Sequence, residues 1–423
     1  MAREQQPIGI LVVRATNQGA EMSEHIPDGL SPAGRDLRAY TDELRPRHRV
    51  VRNVEGEWVL LAHDLVVQAA LEHDTFSSGV SRFLQVPNGL DGAEHTAYRE
   101  ALDPFLSAEA LAGHEPAFRR VAAELVAALP RDTGVDAVRE IGVQFAVRAQ
   151  SAWLGWPLDL ERRLMTWVAD NHAATRSGDL AQTREVAEQF DTIIHSVLDS
   201  RSSAAPGDHD DVTSRLMRTS VNGRPLTHAE LVSVLRNWTG GDLGSIALCV
   251  GVLVHHLATH PALQSRLRAG VPDAELDEVL DEVLRIDDPF VTNRRVTTCP
   301  VELGPVQLPQ GARIRLNWTS ANRDPDVFGD PDAFDPAGNR DRNLVYGIGK
   351  HACPGRLLAT IELRALTQAL LVATEAIELD PARAPEREVA PVGGWASVAV
   401  RLRGRSVSTG RTRDPRHEEA DRG

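Results

Sequence analysis

Apolar and polar positions change rhythm several times along this chain, and each change marks an element. Residues 50–54 and 58–61 are rich in Val, Leu and Trp, with Gly56 between them, which predicts a β-hairpin. Residues 76–94 lose helical spacing and hold Gly79, Pro87, Gly89 and Gly92. They predict a long loop, and long loops in compact domains are often functional. From about 95 to 200 the apolar residues recur at helical spacing. Residues 201–211 are a polar break that reads as an exposed loop. Thr227 and Glu230 then form a capping box ahead of an apolar run reaching about Leu257. Its apolar residues cover most of the circumference, so a buried central helix of roughly 45 Å is expected. A shorter helix is predicted over 274–286, strands over 300–308 and 313–318, an irregular stretch over 319–345, and a last helix from near Pro354. The fold class is mainly α with a small β-rich corner. One domain is expected over 31–403, between a flexible arm at 1–30 and a disordered tail at 404–423.

Composition narrows the function. Of 423 residues, 42% are hydrophobic, enough for a large core. The net charge of −14 argues against a nucleic-acid or anionic-membrane partner. No stretch reaches the roughly 20 uninterrupted apolar residues of a membrane span. The apolar run at 8–13 has no basic region before it, so a cytoplasmic location is expected. Three widely spaced cysteines, Cys249, Cys299 and Cys353, fit a reducing compartment. Cys249 reads as core packing. Nearly every basic residue is arginine, and Lys350 is the single lysine.

Cys353 carries the strongest chemical signal. It follows Tyr346, Gly347, Gly349 and His351 and precedes Pro354, Gly355 and a helix. Glycines let a flat ligand come close. Backbone N–H groups at a helix start favour a thiolate, suited to a metal ligand or a nucleophile. This pattern, with Leu358, Ala359 and Glu362 behind it, resembles the haem-binding loop of the cytochrome P-450 family. The family usually has Phe at the place of Tyr346 and Arg at that of Thr360.

The resemblance covers about residues 30–403 and implies that family's mostly helical fold, with haem b on Cys353. Glu282 and Arg285, about seventy residues earlier, match its Glu-x-x-Arg pair. That pair is expected to be buried and to tie the irregular stretch to the core. Residues 321–325 and Phe328 match the family there as well. His95 and Arg99 share one helix face. With Arg295 and His351 they match the positions that hold the two haem propionates, and Tyr346 and Gly355 belong to the same cofactor set.

Over the haem, the family carries an acid followed by a threonine that pass protons to dioxygen. This chain has Gly240, Gly241, Asp242, Leu243, Gly244 and Ser245. Counting back from His260 puts Gly244 at the usual acid and Ser245 at the usual alcohol. Asp242 and Ser245, three apart, are the expected catalytic pair. Substrate contacts are expected from Phe83, Leu84 and Val86, from the 165–182 segment, and from Leu235, Trp238, Thr239 and Thr292. With aromatics at 4%, a partly aliphatic site is expected. Residues 86–91 and 237–239, with Tyr346, resemble a bacterial branch with thiocarbamate-degrading and reductase-fused members. About seventy residues follow Cys353, so no fused reductase is expected.

The implied activity is monooxygenation, hydroxylation or oxidative dealkylation, of a small-molecule substrate with O2. Electrons would come from NAD(P)H through a ferredoxin or flavin reductase system. A peroxygenase or other oxidative enzyme of the same fold, and a non-catalytic haem sensor or electron carrier, are the alternatives. Arg340, Arg342, Lys350, Arg356 and Arg364 surround the loop and predict a basic docking patch for an acidic partner.

Overall fold

A computed structural model describes residues 26–203, 205 and 209–404. The expected arm and tail thus lie almost wholly outside the described residues. Residues 26–30 run beside the first strand, with Leu30 bridged to Asn53.

The central helix, His228–Thr259, organises the molecule. Thr227 Oγ1 accepts from the Glu230 N–H, and the Glu230 carboxylate accepts from the Thr227 N–H, so the predicted capping box is formed. Glu230 also takes both guanidinium arms of Arg224. These bonds hold its carboxyl well below the usual range against the opposing effect of burial. The helix is long and apolar enough to cross a membrane, but most of it is buried inside the protein. Helices Glu115–Ala128, Val143–Leu154, Leu180–Ser203, Asp273–Ile286 and Arg356–Ala373 build the main hydrophobic core with it.

A second, smaller core lies under a five-stranded sheet. The predicted hairpin, Val50–Arg52 and Trp58–Leu60, is antiparallel. Arg313–Asn317 adds to it in parallel, followed by Thr292–Thr297 and Phe76–Ser77. Residues 300–308 are not one strand. They form a separate hairpin, Val301–Leu303 with Val306–Leu308. The fold is mainly α with a small β-rich part, as expected, and its strands fall in more than one sheet. Ala376–Leu379, Ala399–Arg403 and Gly134–Asp136 form another sheet against the main core. The loop at 78–91 is irregular as expected, although its helix starts earlier, at Gly92.

Candidate functional site

The cysteine loop runs from one core to the other. Leu344 belongs to the sheet core, Val345 and Leu358 to the helical core. Gly349 has φ 76°, and a Cβ there would come 3.0 Å from Leu71 Cδ2. Only glycine lets the loop lie this close to the helix His63–Leu71. The Cys353 N–H donates to Tyr346 O at 2.8 Å and closes the loop. By area Cys353 counts as exposed, but its open face looks into an internal cavity. Burial is the largest influence on its thiol and raises its pKa; the Gly355 and Arg356 N–H groups and Arg99 pull the other way without prevailing. The loop alone therefore does not make the thiolate expected from the sequence. A bound cation would supply the missing positive charge.

The cavity holds about 1500 Å³ free of atoms, part of it open to solvent. His95, Arg99, Arg295, His351, Tyr346, Cys353 and Gly355 all line it, brought together from three segments. Arg295 comes in on the strand Thr292–Thr297, opposite Ile314. Among the described residues, His95 Nδ1, Arg295 Nε and His351 Nε2 are buried beside the cysteine loop with no hydrogen-bond partner, as is Trp153 Nε1 farther along the wall. Asp91 Oδ1 stands 3.3 Å from His351 Nε2 without hydrogen-bond alignment. Arg99 is partly used, with Nε on Asp103 at 2.6 Å and Nη1 on Ala352 O at 3.2 Å. Burial, then the neighbouring His351, lower the His95 pKa to about 4, and burial with Arg295 does the same to His351. Orphaned donors of this kind in a buried wall call for an anionic acceptor. A haem, with two carboxylates and an iron that takes one axial sulfur, fits this donor set.

Gly241, Asp242, Ser245, Ile246 and Cys249 present the central helix to the same cavity. Cys249 is therefore more than core packing. The α-helix is continuous from residue 228 to 259 through these glycines. Asp242 Oδ2 is buried without a partner, and burial raises its pKa to about 7. Beside it in charge, both oxygens of fully buried Glu362 are also unpartnered, and burial followed by Asp242 pushes that carboxyl well up.

Of the expected substrate residues, only Trp238 lines the cavity. Phe83 and Leu84 are 61% and 45% exposed on the outer loop. Val86, Leu235 and Thr239 are buried in packing, and Thr292 pairs with Asn317 in the sheet. The residues found instead include Leu106, Trp153, Phe290, Asn88, Asn237 and Asn293. The wall is partly aliphatic, as expected, through Leu106, Ile246, Val345 and Leu358, and it also carries aromatic rings and amides. The Trp153 and Trp238 rings stand with centroids 5.2 Å apart.

Glu282 and Arg285 are 2% and 0% exposed and joined by two bonds of 2.7 and 2.8 Å. Arg285 also donates to Asn322 O, Pro331 O and Ala333 O, and Glu282 accepts from the Asp335 N–H and Asn339 Nδ2. The pair clamps the irregular stretch below the cysteine loop. The expected basic patch is not free. Arg340 pairs with Glu278, Arg356 with Asp281 and buried Arg364 with Asp277. Arg342 caps carbonyls of Val327 and Gly338, and Lys350 Nζ donates to Gly92 O at 2.7 Å. Tyr346 and Thr360, the two departures from the family loop, are neighbours through their hydroxyls.

A family model described as Cytochrome P450 matches residues 177–387. The cyclomarin C epoxidase of Salinispora arenicola is 27% identical over 395 residues, covering 89% of this chain and 99% of that protein. The erythromycin C-12 hydroxylase of Saccharopolyspora erythraea is 26% identical across 78% of this chain and 84% of the relative. A solved mutant of P450 EryK in complex with erythromycin B matches with a TM-score of 0.77 at 23% identity, covering 86% of this chain and 96% of that one. That likeness speaks for the fold. These relatives do not place the chain in the thiocarbamate-degrading or reductase-fused branch.

Proposed function

Because the chain belongs to the cytochrome P450 family, we propose that it hydroxylates or oxidatively dealkylates a small organic substrate on haem b. It is a P450 monooxygenase-type oxidoreductase. The overall balance is substrate C–H, O2, two electrons and two protons giving alcohol and water. When bound, haem supplies the activation of O2. We assign the two electrons to NAD(P)H through a ferredoxin or flavin reductase system, and the protein to the cytoplasm.

The chain's own groups have separable roles in this reading. Cys353 Sγ would be the protein's ligand to the haem iron. His95, Arg99, Arg295 and His351 would hold the propionates, His95, Arg295 and His351 through nitrogens that lack other partners. Tyr346 and Gly355 line the cavity at the loop, where they would border the haem. Ser245 and Asp242 hold protons on the opposite wall, Asp242 as an acid that still carries its proton near neutrality. Trp153, Trp238 and Phe290 exclude water and orient an apolar substrate body, while Asn88, Asn237 and Asn293 offer amides to its polar groups.

The observation that carries this reading is the meeting of Cys353, the three orphaned donors and the Asp242–Ser245 face on one cavity. The test is spectroscopic. Reduced protein with carbon monoxide should show the long-wavelength band of thiolate-ligated haem, and Cys353→Ala should lose it. A band that survives the substitution rejects Cys353 as ligand. Spin-state titration against a compound library, followed by product analysis with a surrogate ferredoxin and its reductase, then identifies the substrate.

A further inference from the structure

The side of the central helix that faces the helix Glu161–Ser177 has a gap at Gly244. A Cβ built there would stand 3.0 Å from His172 Nε2, so an imidazole edge fills the space of the missing side chain. One turn earlier, Gly240 faces the same way, toward Trp167 and Phe190. Those two rings stack with centroids 4.0 Å apart and hold the helices together. Among the described residues nothing hydrogen-bonds the His172 ring; its only neighbours in charge are Arg176 and Glu388. Arg176 Nε donates to Glu388 Oε2 at 2.9 Å, and Glu388 is buried. Across the gap, Ser245 follows Gly244 directly, and Asp242 lies two residues before it, both on the cavity wall.

We propose that His172 is a proton-relay residue, standing in from a neighbouring helix for the carboxylate that the helix lacks at Gly244. The inference rests on the oxygenase reading above, in which Ser245 holds a proton on the cavity wall. The imidazolium gives its Nε2 proton, directly or through one water, to the Ser245 hydroxyl oxygen as that hydroxyl releases its own proton into the cavity. The neutral ring then takes a proton from solvent. One proton enters and one leaves in each cycle, and no electron moves. His172 acts through Ser245 and does not line the cavity, so it is a positioning and relay group. Burial and Arg176 lower its pKa below the usual 6.5, and Glu388 draws it back up. Asp242 faces the cavity side of the same helix. The relay should therefore weaken as pH rises, and Glu388 should set where.

The test has one arm without turnover. In haem-loaded protein with 15N-labelled histidine, the His172 signal is assigned by its loss in His172→Asn. Its pKa should lie below 6.5 and fall by at least about half a unit in Glu388→Gln. The second arm needs no substrate: peroxide released per O2 consumed, with NADH, a plant-type ferredoxin and its reductase. His172→Phe should raise that share at least about threefold and flatten its pH dependence between about 5.5 and 7.5, with haem content unchanged. Gly244→Asp added to His172→Phe should bring the share back down. Glu388→Gln should move the parent's profile to lower pH by the shift that the NMR titration records. A parental peroxide share and pH profile in His172→Phe overturns the relay. If that variant does not fold, a Glu388→Gln profile that fails to follow the His172 pKa overturns it equally. If the parent shows the thiolate band but consumes no O2, the oxygenase reading itself falls, and the relay with it.

Discussion

The rings of His95 and His351 stand with centroids 4.2 Å apart, and each has one buried nitrogen without a partner. They come from the helix Gly92–Leu102 and from the cysteine loop, so a single anion between them would join both segments. A hydrogen bond to a charged acceptor contributes about 1.5–3 kcal/mol. His95→Phe should therefore speed haem transfer to an excess of apomyoglobin by roughly 10- to 150-fold. The position of the carbon monoxide band should not move, since Cys353 is untouched. Transfer at the parental rate would take His95 out of the cofactor set.

Breaking the Glu282–Arg285 clamp should be severe. Either residue changed to Ala leaves a buried charge alone, at a cost of about 3–5 kcal/mol. The freed stretch lies directly under the cysteine loop, because the Asn322 side chain accepts from the Leu344 N–H. Purified Glu282→Ala and Arg285→Ala should hold little haem and melt well below the parent. Full haem content in both would show that the stretch holds its place without them.

Asp242 should make stability depend on pH in an unusual direction for a carboxylate. Its pKa is raised to about 7 in the fold, above its value in the unfolded chain. Between about pH 4 and 7 the folded state keeps a proton that the unfolded state has lost, so stability falls as pH rises through that window. Asp242→Asn removes this loss. The variant should match the parent near pH 4 and exceed it at pH 8, by about 1–4 kcal/mol. Equal denaturant midpoints at pH 8 would mean that the carboxylate is solvated.

The face around the cysteine loop should respond weakly to charge reversal. Arg340 and Arg356 already sit on Glu278 and Asp281, and exposed pairs of this kind contribute only about 0–1 kcal/mol. Lys350→Glu with Arg356→Glu should slow reduction by an acidic ferredoxin less than about tenfold, with a shallow dependence on salt. A steep loss at low ionic strength would restore the basic docking patch.

What could be read from the sequence was what is local. The Thr227–Glu230 box lies within one turn, and the cysteine loop carries its glycines, its cysteine and its helix within about ten residues. The sheet joining Gly134–Asp136 to Ala399–Arg403 could not be seen, because its partners are more than 260 residues apart and the strands are short. The charged loop misled for the same reason. Its arginines find carboxylates 62, 75 and 87 residues earlier, on the helix Asp273–Ile286. Phe83 and Leu84 sit on the predicted functional loop but turn outward, while Asn88 on the same loop reaches the cavity. No periodicity decides which side of an irregular segment faces in. His172 had no motif at all; only the empty position at Gly244 reveals it.

Lys350 is the one lysine of the chain, and its ammonium is tied to Gly92 O at the start of the helix that carries His95 and Arg99. Beside the α-amino group, an acylating reagent therefore has a single address, and that address is a strap between two walls of the cavity. Reagent uptake at this amine becomes a clock for how often the strap lets go. Modification should be slow when the cavity is filled and its walls are drawn together, and fast when it is empty.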